Sequence, residues 1–131
     1  MIVEETKEAR PSKSEEELEK PERDIQILSD LYSKHHLSGN RRNQSVSEEK
    51  RSKLFKKWMG KNKKVLDMGC RDGILTRHFI EQNEVTGLDI DQLALEACKK
   101  NLNIETIWAD FSLQIPLPTS SFNVVIAGEV I

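Results

Sequence analysis

Three acidic residues, Asp67, Asp89 and Asp110, each close a short apolar run, at spacings of 22 and 21 residues. The runs are Val65-Leu66 before Asp67, Val85-Thr86-Gly87-Leu88 before Asp89, and Ile104 to Ala109 before Asp110. A carboxylate at the end of such a run offers two oxygens as hydrogen-bond acceptors. Gly69 and Gly73 bracket the turn after the first acid, where a missing side chain lets backbone approach a ligand closely. In an open α/β sheet the crevice outside the carboxyl ends of the strands is the usual binding place, so acids and glycines there mark a ligand site.

Positioning these residues requires strands alternating with helices. Val65 to Met68, Val85 to Asp89 and Ile104 to Ala109 read as buried parallel strands, and Phe122 to Ala127 as a fourth. Ile74, Leu75, Phe79 and Ile80 form a helical stripe between the first two. Ala94, Leu95, Cys98 and Leu102 form another after the second, with Asp91 as its N-cap. Pro116, Pro118 and Thr119-Ser120-Ser121 are the breakers before the fourth strand. The pattern predicts a Rossmann-like α/β fold: a parallel sheet of order 3-2-1-4 with right-handed crossovers.

A nicotinamide-binding domain also has a glycine turn followed by an acid, but its fingerprint is G-x-G-x-x-G. Here the turn reads Gly69-Cys70-Arg71-Asp72-Gly73, with Arg71 in place of the glycine that admits a pyrophosphate. The triphosphate-binding pattern G-x-x-x-x-G-K-[ST] is absent.

Residues 64 to 131 resemble the N-terminal half of a class I S-adenosylmethionine (SAM)-dependent methyltransferase, of the type acting on small molecules among other substrates. VLDMGCRDG is similar to the family's first motif and VTGLDID to its acidic second-strand motif. WADFS follows the third strand, and LPTSSFNVVIAGEVI leads through the fourth. The resemblance implies SAM as cofactor. Asp89 would accept the ribose hydroxyls, Gly69, Cys70 and Gly73 would line the methionine portion, and Asp67 would help hold its ammonium. Asp110 would accept from the adenine amino group, with Ile90 and Phe111 beside the ring. Ala127 and Gly128 would pass near the sulfonium, and Glu129 near substrate or ammonium. The implied activity is direct methyl transfer to a small-molecule acceptor, with no catalytic base assigned.

Simpler readings stand beside these. Asp67 could cap the turn, Asp89 could serve as a helix N-terminal charge, and Phe111 could be core. Cys70 and Cys98 are the only cysteines. Two thiols and no disulfide framework point to a reducing compartment, with Cys98 as a core residue. His35 and His36 are adjacent, a poor spacing for joint metal ligation, and no metal is expected. The fourth strand runs into Ala127-Gly128-Glu129, not the [ND]-P-P-[YF] of many amino-group methyltransferases, and no Pro-Cys dipeptide supports a covalent cytosine mechanism.

Charge is segregated although the net is only −2. Residues 1 to 22, with the Glu15-Glu16-Glu17 run, are expected to be a disordered acidic tail. Residues 23 to 63 form a basic helical extension before the methyltransferase domain of 64 to 131. Residues 34 to 64 carry net +9 and residues 65 to 131 net −6. Within the basic block, Ser45-Val46-Ser47-Glu48 resembles a capping box, and Leu54, Phe55, Trp58 and Met59 form an apolar stripe ending at Gly60. This helix is expected to cover the sheet or roof the cofactor pocket. Its outer lysines would complement the acidic sheet domain, or alternatively attract RNA. No apolar run is long enough for a membrane helix and no signal peptide is visible, so a cytoplasmic location is expected. The chain stops at or just past the fourth strand, so it is expected to be a fragment without transfer activity of its own. An RNA methyltransferase and an inactive SAM-binding interaction fragment are the alternatives to the small-molecule enzyme.

Overall fold

The computed structural model describes residues 15–39, 44–113 and 115–128, with side chains from residue 25 onward. Its elements are α1 (Glu15–Ser38), α2 (Glu48–Met59), β1 (Lys64–Met68), β2 (Glu84–Asp89), α3 (Gln92–Leu102), β3 (Glu105–Trp108) and β4 (Val124–Ile126). The strands form one sheet of order β3-β2-β1-β4, the expected order. Every pair is parallel, and β1 lies between β2 and β4.

β1 is the most enclosed strand because both sheet faces are covered. Val65 joins Leu75, Phe79, Val85, Ile126 and Met59 on the face under α2. Leu66 points to the other face, with Leu88, Ala109 and the half-buried Phe111 and Phe122. Val65 and Leu66 are 0% and 4% exposed, so each side of the pleat is removed from water. α3 seats Leu95 and Cys98 against Cys70, with Ile104 and Trp108 beside them.

Local structure departs from expectation in several places. The stripe Ile74, Leu75, Phe79, Ile80 is buried or half-buried as expected, but its backbone makes only a single 3-10 turn, Thr76–His78. Ile74, Thr76 and Ile80 are β-branched and lose side-chain freedom in a helix. Thr76 is also held by a hydrogen bond to Asp67, and Asn83 Nδ2 donates to the Phe79 carbonyl that a continuing helix would use. The capping box does not form. Ser47 has φ of 52° and makes no side-chain cap. Glu48 is instead the first residue of α2, and its carboxylate is taken by Arg77 and His78. Trp58 and Leu54, expected on the inner stripe, are 70% and 44% exposed, while Met59 and Ser52 are buried. β4 is shorter than expected at its start: Asn123 pairs with Lys64 through its side-chain oxygen, replacing one backbone rung. Residues 1–14 of the acidic tail lie outside the described residues. From Glu15 onward the backbone is helical.

Candidate functional site

The register of β1 against β2 sets the site. Asp67 pairs with Gly87 and Met68 with Leu88, so the two strands end side by side. The chain then turns off β1 as the Gly69 and Cys70 N–H groups both donate to the Leu88 carbonyl, at 2.7 and 3.1 Å. Gly69 has φ of 74° and Gly73 of 85°, left-handed values that glycine adopts without strain. Arg71 also has positive φ, 51°, so it keeps the left-handed backbone of a glycine position while carrying a side chain.

That backbone aims the Arg71 N–H at Asp89 Oδ2, 2.7 Å away, while the Asp91 N–H donates to Oδ1 at 2.8 Å. Asp89 is 4% exposed. Burial lifts its carboxyl above the ordinary 3.8, and the two N–H groups oppose the rise. Each oxygen keeps a further lone pair as an acceptor.

The other expected residues take these places. Asp67 is 1% exposed and accepts a hydrogen bond from Thr76 Oγ1 at 2.6 Å. Cys70 turns its side chain into the core: a Cβ at Gly87 would come within 2.8 Å of its sulfur. A hydrogen bond with Cys98, then burial, then the nearby Asp67 and Asp89 carboxylates push its thiol well up, so it is no nucleophile at neutral pH. Gly73 is packed against α3, where an added Cβ would meet Leu102 at 2.6 Å and Cys98 at 2.8 Å. Ile90 is half-buried and its carbonyl accepts from Trp108 Nε1 at 2.9 Å, tying the end of β2 to β3. Asp110 Oδ1 accepts from the Ser112 N–H at 2.9 Å and Oγ at 2.6 Å, closing the turn after β3. Phe111 packs beside Leu66, Leu88 and Ala109, as its core reading expects. Ala127 is exposed just past β4. At Gly128 a Cβ would meet Leu75 at 2.9 Å and Arg51 and Phe55 at 3.0 Å, so α2 overlies the end of β4. Glu129 lies outside the described residues.

Gly69, Cys70, Arg71 and Asp89 thus form one hydrogen-bonded unit at the ends of β1 and β2, with Asp110 and Ala127 at the ends of the flanking strands. Sequence reasoning missed a second layer. Ser33 Oγ donates to Asp91 Oδ1 at 2.5 Å, His36 Nδ1 lies 2.6 Å from Oδ2, and the Gln92 N–H donates to Ser29 Oγ at 3.0 Å. Asp91 also caps α3 as expected, accepting from the Ala94 N–H at 3.1 Å. Burial raises its carboxyl, but the hydrogen bonds from Ser33, His36 and Ala94 outweigh this and hold it below the ordinary 3.8. Ser29, Ser33 and His36 recur at i, i+4 and i+7, a polar helical stripe that could have been read as a docking face. Ser33, His36, Arg71, Asp72 and Asn101 border a cavity of about 230 Å³ beside this layer. Among the described residues no three His, Cys, Asp or Glu side chains group as a metal site, and no helix is long and apolar enough to cross a membrane.

Residues 65–131 match a family model described as a methyltransferase domain. Ribosomal protein L11 methyltransferase of Neisseria meningitidis serogroup C is 37% identical over 83 residues, covering 59% of this chain and 28% of that protein. Its Chromobacterium violaceum counterpart is 34% identical over the same shares. The chain therefore spans less than a third of these relatives. A TehB-like SAM-dependent methyltransferase from Corynebacterium glutamicum superposes with a TM-score of 0.56 at 19% identity, over 77% of this chain and 54% of that one. The 1,6-didemethyltoxoflavin N1-methyltransferase of Burkholderia thailandensis, solved with S-adenosylhomocysteine, gives 0.55 at 20% identity, over 89% and 51%. At these identities the structural likeness is one of fold.

Proposed function

The chain belongs to the class I SAM-dependent methyltransferase family, and from that premise we propose that it binds SAM across the ends of β1, β2 and β3 and serves methyl transfer to a small-molecule acceptor. The carrying observation is Asp89, fixed by two backbone donors yet keeping acceptor capacity on both oxygens. A diol presents two donors, which suits a carboxylate already oriented. The donor set fits SAM in other respects as well. Gly69 and Cys70 offer close backbone to the methionine portion, Asp67 offers negative charge toward an ammonium, and Asp110, Ile90 and Phe111 offer an acceptor and apolar surface to adenine.

SAM supplies an electrophilic methyl group on a sulfonium. The residues of this chain bind and orient that cofactor, and Ala127 and Gly128 border the space where an acceptor would approach. In such chemistry positioning and exclusion of water contribute most of the acceleration, and no side chain here is assigned as a base. The two reduced, buried cysteines accord with the cytoplasm as its compartment.

A protein acceptor is the second reading, favoured by the L11 methyltransferase relatives. Their match takes in 28% of their own length, too little to carry the acceptor over, and the small-molecule reading is kept in the lead. Calorimetric titration of the chain with SAM, and with NAD as comparator, tests the first step: SAM binds and NAD does not. Incubation with labelled SAM and a fractionated cell extract tests the second. Label in the small-molecule fraction supports the leading reading, label in purified L11 transfers it to protein, and absence of SAM binding removes both.

A further inference from the structure

α2 carries an outward face that neither the sheet nor the cofactor reading uses. Lys50, Leu54 and Trp58 recur at i, i+4 and i+8 along it, with Lys53 and Lys57 in the adjacent row and Lys61 just past the helix end. Trp58 is 70% exposed, and its ring meets Phe55 edge-on, centroids 6.4 Å apart at 64°. That contact leaves much of the indole in water, which is costly for the largest apolar side chain unless something covers it. Lys53 pairs with Glu49 in an exposed i, i+4 contact, a pair that water largely screens. Lys50, Lys56, Lys57 and Lys61 have no ion-pair partner among the described residues.

We propose that this face is a docking surface for single-stranded nucleic acid, with the lysines against phosphates and Trp58 stacked on a base. Charge complementarity and aromatic exposure both point to this occupant. Residues 34 to 64 carry net +9 beside a domain of net −6, so a polyanion is drawn to α2 and repelled by the sheet. An acidic protein, or the acidic half of a second copy, would satisfy the lysines but has no need of a bare indole. A duplex hides its base faces. An exposed strand uses both features, and stacking is tolerant of sequence. This proposal does not depend on the methyltransferase reading, because it concerns a surface apart from the strand ends assigned to SAM.

The test is fluorescence anisotropy of a labelled single-stranded RNA of about 12 nucleotides titrated with the full 131-residue chain at several salt concentrations. Three or four phosphate contacts give a log–log salt slope of about −2 to −3. Lys53→Glu with Lys57→Glu abolishes binding. Trp58→Ala weakens it roughly tenfold while Trp58→Phe keeps most of it, and Trp58 fluorescence is quenched on binding. Thermal melts of each variant verify folding, and these exposed positions should leave the melt unchanged. The proposal is overturned by no binding at low salt, by wild-type affinity in Trp58→Ala, or by heparin or duplex RNA competing as well as the single strand. Self-association of the free chain that the lysine variants abolish would reassign the face to a second copy. SAM titration in parallel distinguishes a failure at this surface from a failure at the cofactor site.

Discussion

Asp89 is oriented before any ligand arrives, since the Arg71 and Asp91 N–H groups already fix both oxygens. Asp89→Ala should weaken SAM binding by on the order of 10- to 100-fold by calorimetry, the cost of leaving ligand hydroxyls without their acceptor. Because burial raises this carboxyl above 3.8, the unbound fold tolerates its protonated form better than the unfolded chain does, and that contribution to stability is lost as pH rises through the raised value. The ligand requires the ionised form, so SAM affinity should strengthen over the same interval; a flat profile would remove Asp89 from the diol. Asp91 has the opposite sign. Its carboxyl is held below 3.8, so its stabilisation is present above that value and lost as pH falls through the lower folded one. Asp91→Ala removes a cap together with the Ser33 and His36 contacts and should cost about 2 to 3 kcal/mol in denaturant unfolding, against about 1 for Ser33→Ala. The cap was legible because capping is local. Ser33 and His36 were not, because their partner stands 58 and 55 residues further along the chain.

Among elements, the strands and their order followed from apolar runs ending in acids, since a buried parallel strand has little freedom to be anything else. The segment after Gly73 did not follow: its stripe records which side chains are buried, and a 3-10 turn with flanking bends buries them as well as a helix would. Trp58 shows the converse, an apolar residue in helical register that faces water. Glycine positions divide the same way. Gly60 and Gly73 both have positive φ, but a Cβ at Gly60 meets nothing within 4 Å, whereas at Gly73 it meets Leu102 and Cys98. Gly60→Ala should therefore cost only the strain of its φ 74°, ψ −148° backbone, about 1 to 3 kcal/mol, and Gly73→Ala a backbone strain plus about 1 to 3 kcal/mol for the clash. Urea midpoints of the two variants give the difference, and equal midpoints would mean that α3 yields freely at Gly73.

At the scale of the whole molecule, the proposed cofactor contacts gather the ends of three strands, so binding should be read as global stability. With SAM at 100 times its dissociation constant the chain should gain about 2.7 kcal/mol and melt about 8 °C higher, a shift that Asp89→Ala removes at the same concentration. A melt unmoved by saturating SAM would show that the ligand does not select the folded sheet. The clasp of α1 on α3 also has a bearing on how the chain is made. Ser29, Ser33 and His36 leave the ribosome ahead of Gln92 and Asp91, by 63, 58 and 55 residues. At ordinary synthesis rates that is a wait of about 3 to 13 s. During it α1 has neither the cap it holds nor the α3 terminus it packs on, and Ser29 and Ser33, buried in the finished fold, stand in water on a helix with nowhere yet to dock. A nascent chain halted before Asp91 should accordingly lose α1 to protease, and one halted after Leu102 should keep it.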